Sequence, residues 1–354
     1  MSVSRESQRG NCFPGVRRLD AAFLSFLLSF FSFFASHLFI FSLLLSHPTH
    51  ETFSKMRKLP LRSLSLLSFL SFFFLTSACE KPRQSHLTIG SKFFTEQVIL
   101  AELLAQHIES HTGIQVERKT NLGGTLLVHK ALLSGDLDLY VEYTGTALTA
   151  VLNESPNSDN ATTIYNRVKQ QYAQRFNLDL TEPLGFENTF AMVVRSDDAS
   201  NLHLHTMSDL ASVAPKWRAG VGYEFLERPD GFPGWSNRYN LHFAAQPNVM
   251  DLGLLYRALV DHQVDIVAGN STDGLIDSLH LVALEDNLHY FPPYDAVPIV
   301  RHSTLEKFPQ LRAALADLHN IISAEDMRHL NAQVDADQRD VATVVRAFRA
   351  SKNL

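Results

Sequence analysis

Cysteine is nearly absent. The 354-residue chain has 2, Cys12 and Cys79, and none after Cys79. A disulfide framework and a thiolate metal site are therefore excluded from the body of the chain. Acidic residues are scarce at the start: residues 1–78 hold 3 of the 37 Asp and Glu and 8 of the 31 Lys and Arg. The remainder carries 23 bases against 34 acids, a net of −11. So acidic a body is a poor partner for DNA or RNA, where neutralising phosphates dominates affinity. Phosphate-cradling loops are missing too: there is no G-x-G-x-x-G and no G-x-x-x-x-G-K-[ST]. H-E-x-x-H and G-x-S-x-G are also absent, and no carboxylate pair is spaced as a catalytic acid and base. His203 and His205 alternate in a polar stretch and read as solvated rather than ligating.

Phenylalanine is crowded toward the start, with 14 of 25 before residue 79. The chain reads as a greasy leader and an ordinary globular body of about two domains. Arg57, Lys58 and Arg62 precede an uncharged apolar run over 64–75, and Thr76, Ser77 and Ala78 lead into Cys79. That is the layout of a secretory signal peptide over 56–78. The run is about half of the roughly 20 residues a membrane span needs. A cysteine directly after small residues resembles the bacterial lipoprotein box, which implies lipidation at Cys79. Thr76 stands where that box usually has Leu, so a free periplasmic product is the alternative. Residues 22–46 form a second apolar run, a transmembrane candidate if taken literally. Met56 sits where a signal peptide would begin, so 1–55 reads as an over-extended N-terminus. The alternative is a real anchor.

After a polar tether over 79–85, the body alternates. Strands are expected over 87–90, 115–119 and 137–141. Helices are expected over 94–111, 125–133, 146–152 and 162–176, the first with Phe94, Val98, Ala101, Ala105 and Ile108 on its buried face. This is an α/β pattern with a parallel sheet. It restarts after Pro183-Leu184-Gly185. Strands follow over 189–195, 219–222 and 264–268, helices over 207–213 and 252–261, and a turn-rich loop over 230–234. From about Ser303 the chain is mainly helical.

Four segments then stand out in order: Ile89-Gly90-Ser91-Lys92-Phe93-Phe94-Thr95-Glu96-Gln97, Asp138-Leu139-Tyr140-Val141-Glu142-Tyr143-Thr144-Gly145-Thr146, Phe225-Leu226-Glu227-Arg228-Pro229-Asp230-Gly231-Phe232-Pro233-Gly234 and Phe291-Pro292-Pro293-Tyr294-Asp295-Ala296. Together they resemble the substrate-binding proteins of quaternary-amine (glycine betaine, choline, carnitine) ABC importers, in the OsmF/YehZ-like osmoprotectant-binding branch. The resemblance spans about 86–351. It implies a two-lobed α/β fold of the type II periplasmic-binding class with a hinge, lobe I over 86–184 and 286–354, and lobe II over 185–285. It implies a monomeric, non-enzymatic periplasmic protein without cofactor or metal, delivering its solute to a membrane permease driven by an ATPase.

A quaternary ammonium has charge but no N–H donor, so aromatic faces hold it, each worth about 0.5–2 kcal/mol. A betaine carboxylate asks for cations, hydroxyls or backbone N–H groups. By the resemblance Tyr143 and Tyr294 are cage tyrosines, Thr146 a hydroxyl on the carboxylate, and Lys92 and Arg228 its cationic partners. Phe190 stands where a tyrosine is common and keeps the π face. Asn270 stands where high-affinity members have tyrosine and removes one wall. That implies reduced affinity for glycine betaine, or a different methylated amine or zwitterion. Glu142, Glu187 and Asp273, beside these motifs, read as lobe-hinge or docking charges at most. A ligand-sensing ectodomain tethered by 22–46 is a further alternative.

Overall fold

A computed structural model describes residues 86–354 except 157 and 158. The expected signal peptide, the second apolar run and Cys79 lie outside the described residues. Among the described residues no helix is long and apolar enough to cross a membrane.

Two five-stranded sheets organise the chain. The first takes β1 (Leu87–Gly90), β2 (Val116–Lys119), β3 (Leu139–Tyr143) and β4 (Leu178–Leu180), then β10 (Ala296–Arg301) from near the C-terminus. The second takes β5 (Phe190–Arg195), β6 (Ala219–Val221), β7 (Asn248–Val249), β8 (Ile266–Asn270) and β9 (Leu281–Leu284). Their orders are β2-β1-β3-β10-β4 and β7-β6-β8-β5-β9. The expectation of parallel sheets is corrected: both are mixed. β10 runs antiparallel to β3 and β4, and β5 antiparallel to β8 and β9. The odd strand in each sheet is the one the chain enters from the other sheet, so it arrives reversed. This arrangement is the two-lobed α/β fold.

The first helix, α1 (Thr95–Thr112), differs from its expected one-sided pattern. Ile99, Leu100, Leu103 and Leu104 are fully buried, whereas Phe94 and Val98 are only half-buried. The helix packs on the sheet with one face, and on α5 (Ala324–Asp335) and α6 (Val341–Ser351) with the other. A helix covered on both sides is apolar nearly all round. It ends at Gly113, whose φ of 70° places it in the left-handed region that glycine tolerates best. Between α1 and α5 lie α2 (Thr125–Ser134), α3 (Ala161–Phe176) and α4 (Leu252–Val260).

One expectation fails for a local reason. The loop expected over 230–234 gives way to a short helix, Phe232–Arg238, with proline in its first turn, where its missing N–H costs nothing. β10, a central strand that the sequence reading left unassigned, carries Pro298, a residue that disfavours such a position. It is tolerated beside Val141, while its carbonyl accepts from the Thr181 N–H at 3.1 Å.

The chain crosses between the sheets along two segments that lie side by side. Leu184 N–H donates to the Ala296 carbonyl at 2.9 Å, Ala296 N–H to Phe186 at 3.0 Å, and Asn188 N–H to Tyr294 at 3.1 Å. This antiparallel pairing fixes Tyr294 relative to the end of β3. Gly145 lies under it: a Cβ there would meet Tyr294 Cδ1 at 2.6 Å and the Pro293 carbonyl at 2.7 Å. Gly145→Ala is expected to displace the Tyr294 ring and lower stability by about 1–3 kcal/mol. Thermal unfolding checks this, and an unchanged midpoint would show that the crossing segments yield freely.

Candidate functional site

Where the sheets face each other, the ends of β3 and β8, the start of β5 and the loops after β1 and before β10 enclose a cavity of about 60 Å³. A water needs about 10–15 Å³ measured this way, so the space suits a handful of waters and the walls lie close around any small solute. All seven residues expected at the site line it: Lys92, Tyr143, Thr146, Phe190, Arg228, Asn270 and Tyr294. Strand register explains part of the convergence. Phe190 pairs with Asn270 across β5 and β8, and Tyr143 with Ala296 across β3 and β10, two residues past Tyr294.

The aromatic side is fuller than the sequence motifs indicate. The Phe190 ring lies 4.7 Å from Phe225 and 5.9 Å from Tyr294, edge-on to the latter. Phe94 stacks near Tyr143 with centroids 6.5 Å apart, and both Phe94 and Phe225 line the cavity. The two tyrosine hydroxyls are tied away. Tyr143 donates to Glu96 Oε1 at 2.6 Å, and Tyr294 donates to Asp230 Oδ2 at 2.6 Å. With their hydroxyls engaged, these rings have their π surface to offer.

Both expected cations carry a built-in anion. Lys92 Nζ lies 2.5 Å from Glu142 Oε1, with side-chain exposures of 3% and 0%. This corrects the reading of Glu142 as a hinge or docking charge: it is an interior partner. The Lys92 ammonium also sits 5.2 Å from the centre of the Tyr143 ring. Arg228 grips Asp230 bidentately, Nε to Oδ1 at 2.8 Å and Nη2 to Oδ2 at 2.6 Å. It also donates to Thr146 Oγ1 at 3.1 Å and Thr149 Oγ1 at 3.3 Å. Those bonds occupy four of the five guanidinium N–H groups, and the fifth is on Nη1 beside Thr146. Burial alone pushes the Asp230 carboxyl up, but the Arg228 bonds and charge prevail and hold it below the usual carboxylate range. Each ion pair sums to zero, and Glu224, which also lines the cavity and is in no ion pair among the described residues, leaves the wall with an excess of one negative charge.

Glu96 was not singled out by sequence. It is 2% exposed and accepts four hydrogen bonds: Tyr143 at 2.6 Å, Thr272 Oγ1 at 2.5 Å, Asn188 Nδ2 at 2.9 Å and Asn331 Nδ2 at 3.0 Å. These donors come from β3, the loop after β8, a crossing segment and α5. Desolvation raises the Glu96 pKa, and the four donors only partly offset it. Asp230 was likewise quoted within a motif but given no role. Both sit inside conspicuous segments, and an acidic residue in each was the available signal.

A further contact joins the lobes. Glu224, in the short helix Tyr223–Glu227, accepts the Thr125 backbone N–H at 2.6 Å. Thr125 opens α2, whose N-cap is Gly124 and has no side chain to cap with. Glu224 therefore acts as the missing cap from the other lobe, where a carboxylate also meets the positive end of the helix dipole.

Asn270 stands at a border. It lines the cavity together with Phe93, Phe94 and Leu252, and all four also line a neighbouring groove of about 720 Å³. Its backbone N–H donates to Asp273 Oδ2 at 2.9 Å, and Tyr256 donates to the same oxygen at 2.6 Å. Burial pushes the Asp273 carboxyl up to about 6 despite these bonds.

Two lobes closing on an aromatic, polar-ended cavity define a solute-binding protein. The comparisons agree. Residues 85–351 match the family described as the substrate binding domain of ABC-type glycine betaine transport system, and the chain belongs to that family. It is 34% identical over 305 residues to the carnitine transport binding protein OpuCC of Listeria monocytogenes, covering 84% of this chain and 98% of that one. It is 34% identical over 270 residues to the ergothioneine transport permease/ergothioneine binding protein EgtU of Helicobacter pylori, covering 76% of this chain and 47% of that longer protein. A crystal structure described as a glycine betaine/carnitine/choline ABC transporter aligns with TM-score 0.64 and 31% identity, over 75% of this chain and 98% of that one. The fold is thus that of the type II periplasmic-binding proteins, and the chain is a substrate-binding component of an ABC importer.

Two predictions follow from the geometry. Glu224→Ala uncaps α2 in the closed form, at about 1 kcal/mol. Solute affinity should fall about fivefold, and small-angle scattering should show a larger radius of gyration. Unchanged affinity and radius would mean the contact contributes nothing to closure. The second concerns Asp273, whose carboxyl binds its proton more tightly when folded than the ordinary 3.8. Native protein then holds more protons between about pH 4 and 6, so its stability declines as pH rises through that window. Asp273→Asn should gain on the wild type across that window and keep a constant lead above it, read from unfolding midpoints at each pH.

Proposed function

We propose that the cavity captures a quaternary-amine zwitterion of the glycine betaine type outside the cytoplasm and that lobe closure presents it to the membrane permease. Glu142 and Asp230 already match the charges of Lys92 and Arg228. Rings on one side and the uncommitted Arg228 N–H on the other suit a ligand with separated charges, and this observation carries the reading, with the unpaired Glu224 favouring the ammonium end. The ammonium end lies against Tyr143, Phe190 and Tyr294. The carboxylate end takes the remaining Arg228 N–H, with Thr146 and Lys92 nearby. Choline, a cation with no carboxylate, binds more weakly on this account. The buried carboxylates at the cavity are held by fixed donors, an arrangement for gripping a solute rather than converting one. Lobe I comprises 86–184 and 286–354, and lobe II 185–285. A signal peptide over 56–78 directs export, and Cys79 carries a lipid anchor.

A second reading of the ligand rests on Asn270. With no ring there, the cavity borders the large groove, and a betaine with a side chain could extend past Asn270. Asp251, Asp273, Asp335 and Gln338 line that groove and would accept from N–H groups on the side chain. The ergothioneine-binding relative makes a ring-bearing amino-acid betaine the ligand to try first.

Isothermal titration of the purified protein with glycine betaine, choline, carnitine, proline betaine and ergothioneine tests both readings. Tyr143→Ala should weaken binding about five- to thirtyfold, the worth of one aromatic wall. Arg228→Ala should weaken it at least as much. Asn270→Tyr should tighten glycine betaine and weaken any ligand that reaches the groove. Binding of choline above every zwitterion would overturn the reading of Arg228 as a carboxylate partner.

A further inference from the structure

Away from the cavity, α1 carries two histidines one turn apart, His107 and His111, on the same helix face. Their rings are 4.0 Å apart and tilted by 33°. His107 is fully buried, yet neither ring nitrogen makes a well-formed hydrogen bond, the Ala314 backbone being only a weak partner. Two unpartnered buried nitrogens on one ring call for an explanation such as a bound ion; His129 shares that state, but of the two only His107 belongs to a cluster of three potential metal ligands. Asp317, just after the short helix Leu311–Ala316, brings Oδ2 to 3.9 Å from His107 Nε2. One donor atom from each of the three lies within 4.8 Å of the others.

We propose that His107, His111 and Asp317 bind a divalent transition-metal ion of the zinc type. Nitrogen and carboxylate donors suit such an ion, and a fourth position is open to water because His111 and Asp317 face solvent. The outer contacts also fit. His111 Nδ1 lies 3.0 Å from both the His107 carbonyl and Ser110 Oγ; since the Ser110 hydroxyl already donates to that carbonyl, Nδ1 is assigned as the protonated donor, which leaves Nε2 to ligate. Tetrahedral zinc at about 2.0–2.1 Å from its ligands sets them roughly 3.3 Å apart. Rotation of the exposed His111 and Asp317 side chains supplies that adjustment while buried His107 stays fixed. Arg349 is the opposing charge: its guanidinium donates to Ser110 Oγ at 2.5 Å and repels a cation at this place. The Asp317 carboxylate counters it. None of the three ligands lines the solute cavity, so the site is separate from ligand capture.

The test uses the full chain in detergent without a histidine tag, titrated with Zn²⁺ and, for its spectrum, with Co²⁺. One zinc equivalent is expected, with the visible bands of four-coordinate cobalt. His111→Ala and Asp317→Asn should each weaken zinc binding by at least about tenfold and abolish the cobalt bands, with glycine betaine binding unchanged. Both residues are exposed, so the variants should keep the fold, which circular dichroism checks. The chain has 16 histidines, so stray binding is the rival outcome. Equal zinc affinity in the wild type and the His111→Ala/Asp317→Asn double variant, or no binding by either, would overturn the proposal.

Discussion

Arg228 and Asp230 are buried at the meeting of the two lobes, 8% and 7% exposed, and much of the site is arranged around that pair. A buried ion pair contributes little net stability, but losing one partner costs about 3–5 kcal/mol because the other is stranded. Each member is therefore surrounded. Asp230 accepts from Arg228, Thr149 and Tyr294. Arg228 reaches across to Thr146 and Thr149 and lies 5.1 Å from the centre of the Phe190 ring. One pair thus orients a hydroxyl, a tyrosine and a phenylalanine that face the same cavity. It also couples the lobes, since Thr146 and Thr149 belong to one side and Arg228 to the other.

Glu96 plays a corresponding part at the opposite end. Its four donors come from distant parts of the chain, and their convergence on one buried carboxylate ties the hinge region to Tyr143. The aromatic wall therefore owes its orientation to two carboxylates that need no contact with the ligand. Glu224, which lines the cavity itself, adds a third, whose contact with α2 requires the lobes to be together. Closure then follows from contacts that bridge the lobes, with a bound solute adding its own differential affinity for the closed state.

The alternating elements of the first lobe were legible in the sequence because their periodicity is local. The strand at Leu87–Gly90 and the helices at Thr95–Thr112 and Ala161–Phe176 lie within a residue of expectation. β10, with Pro298 in a central strand, was left unassigned, and the helix Phe232–Arg238 was hidden by a Gly-Phe-Pro-Gly run that reads as a turn. The cavity residues were legible through motif resemblance, not through spacing. Glu96 was not, for a physical reason. Its partners stand 47, 92, 176 and 235 residues away, and alone it looks like an ordinary acidic residue in the first turn of a helix. The built-in partner of Lys92 was also invisible as a partner, although Glu142 lies inside a quoted segment; for Arg228, the adjacent Pro229-Asp230 already allowed a loop ion pair.

A crystal structure with glycine betaine bound tests the central claim most directly. The account places the quaternary nitrogen among the rings of Tyr143, Phe190 and Tyr294 and the carboxylate on Arg228 Nη1, with the Arg228–Asp230 and Lys92–Glu142 pairs intact. A ligand carboxylate that displaces Asp230 from Arg228, or a quaternary nitrogen seated against Glu224 away from the rings, would contradict it.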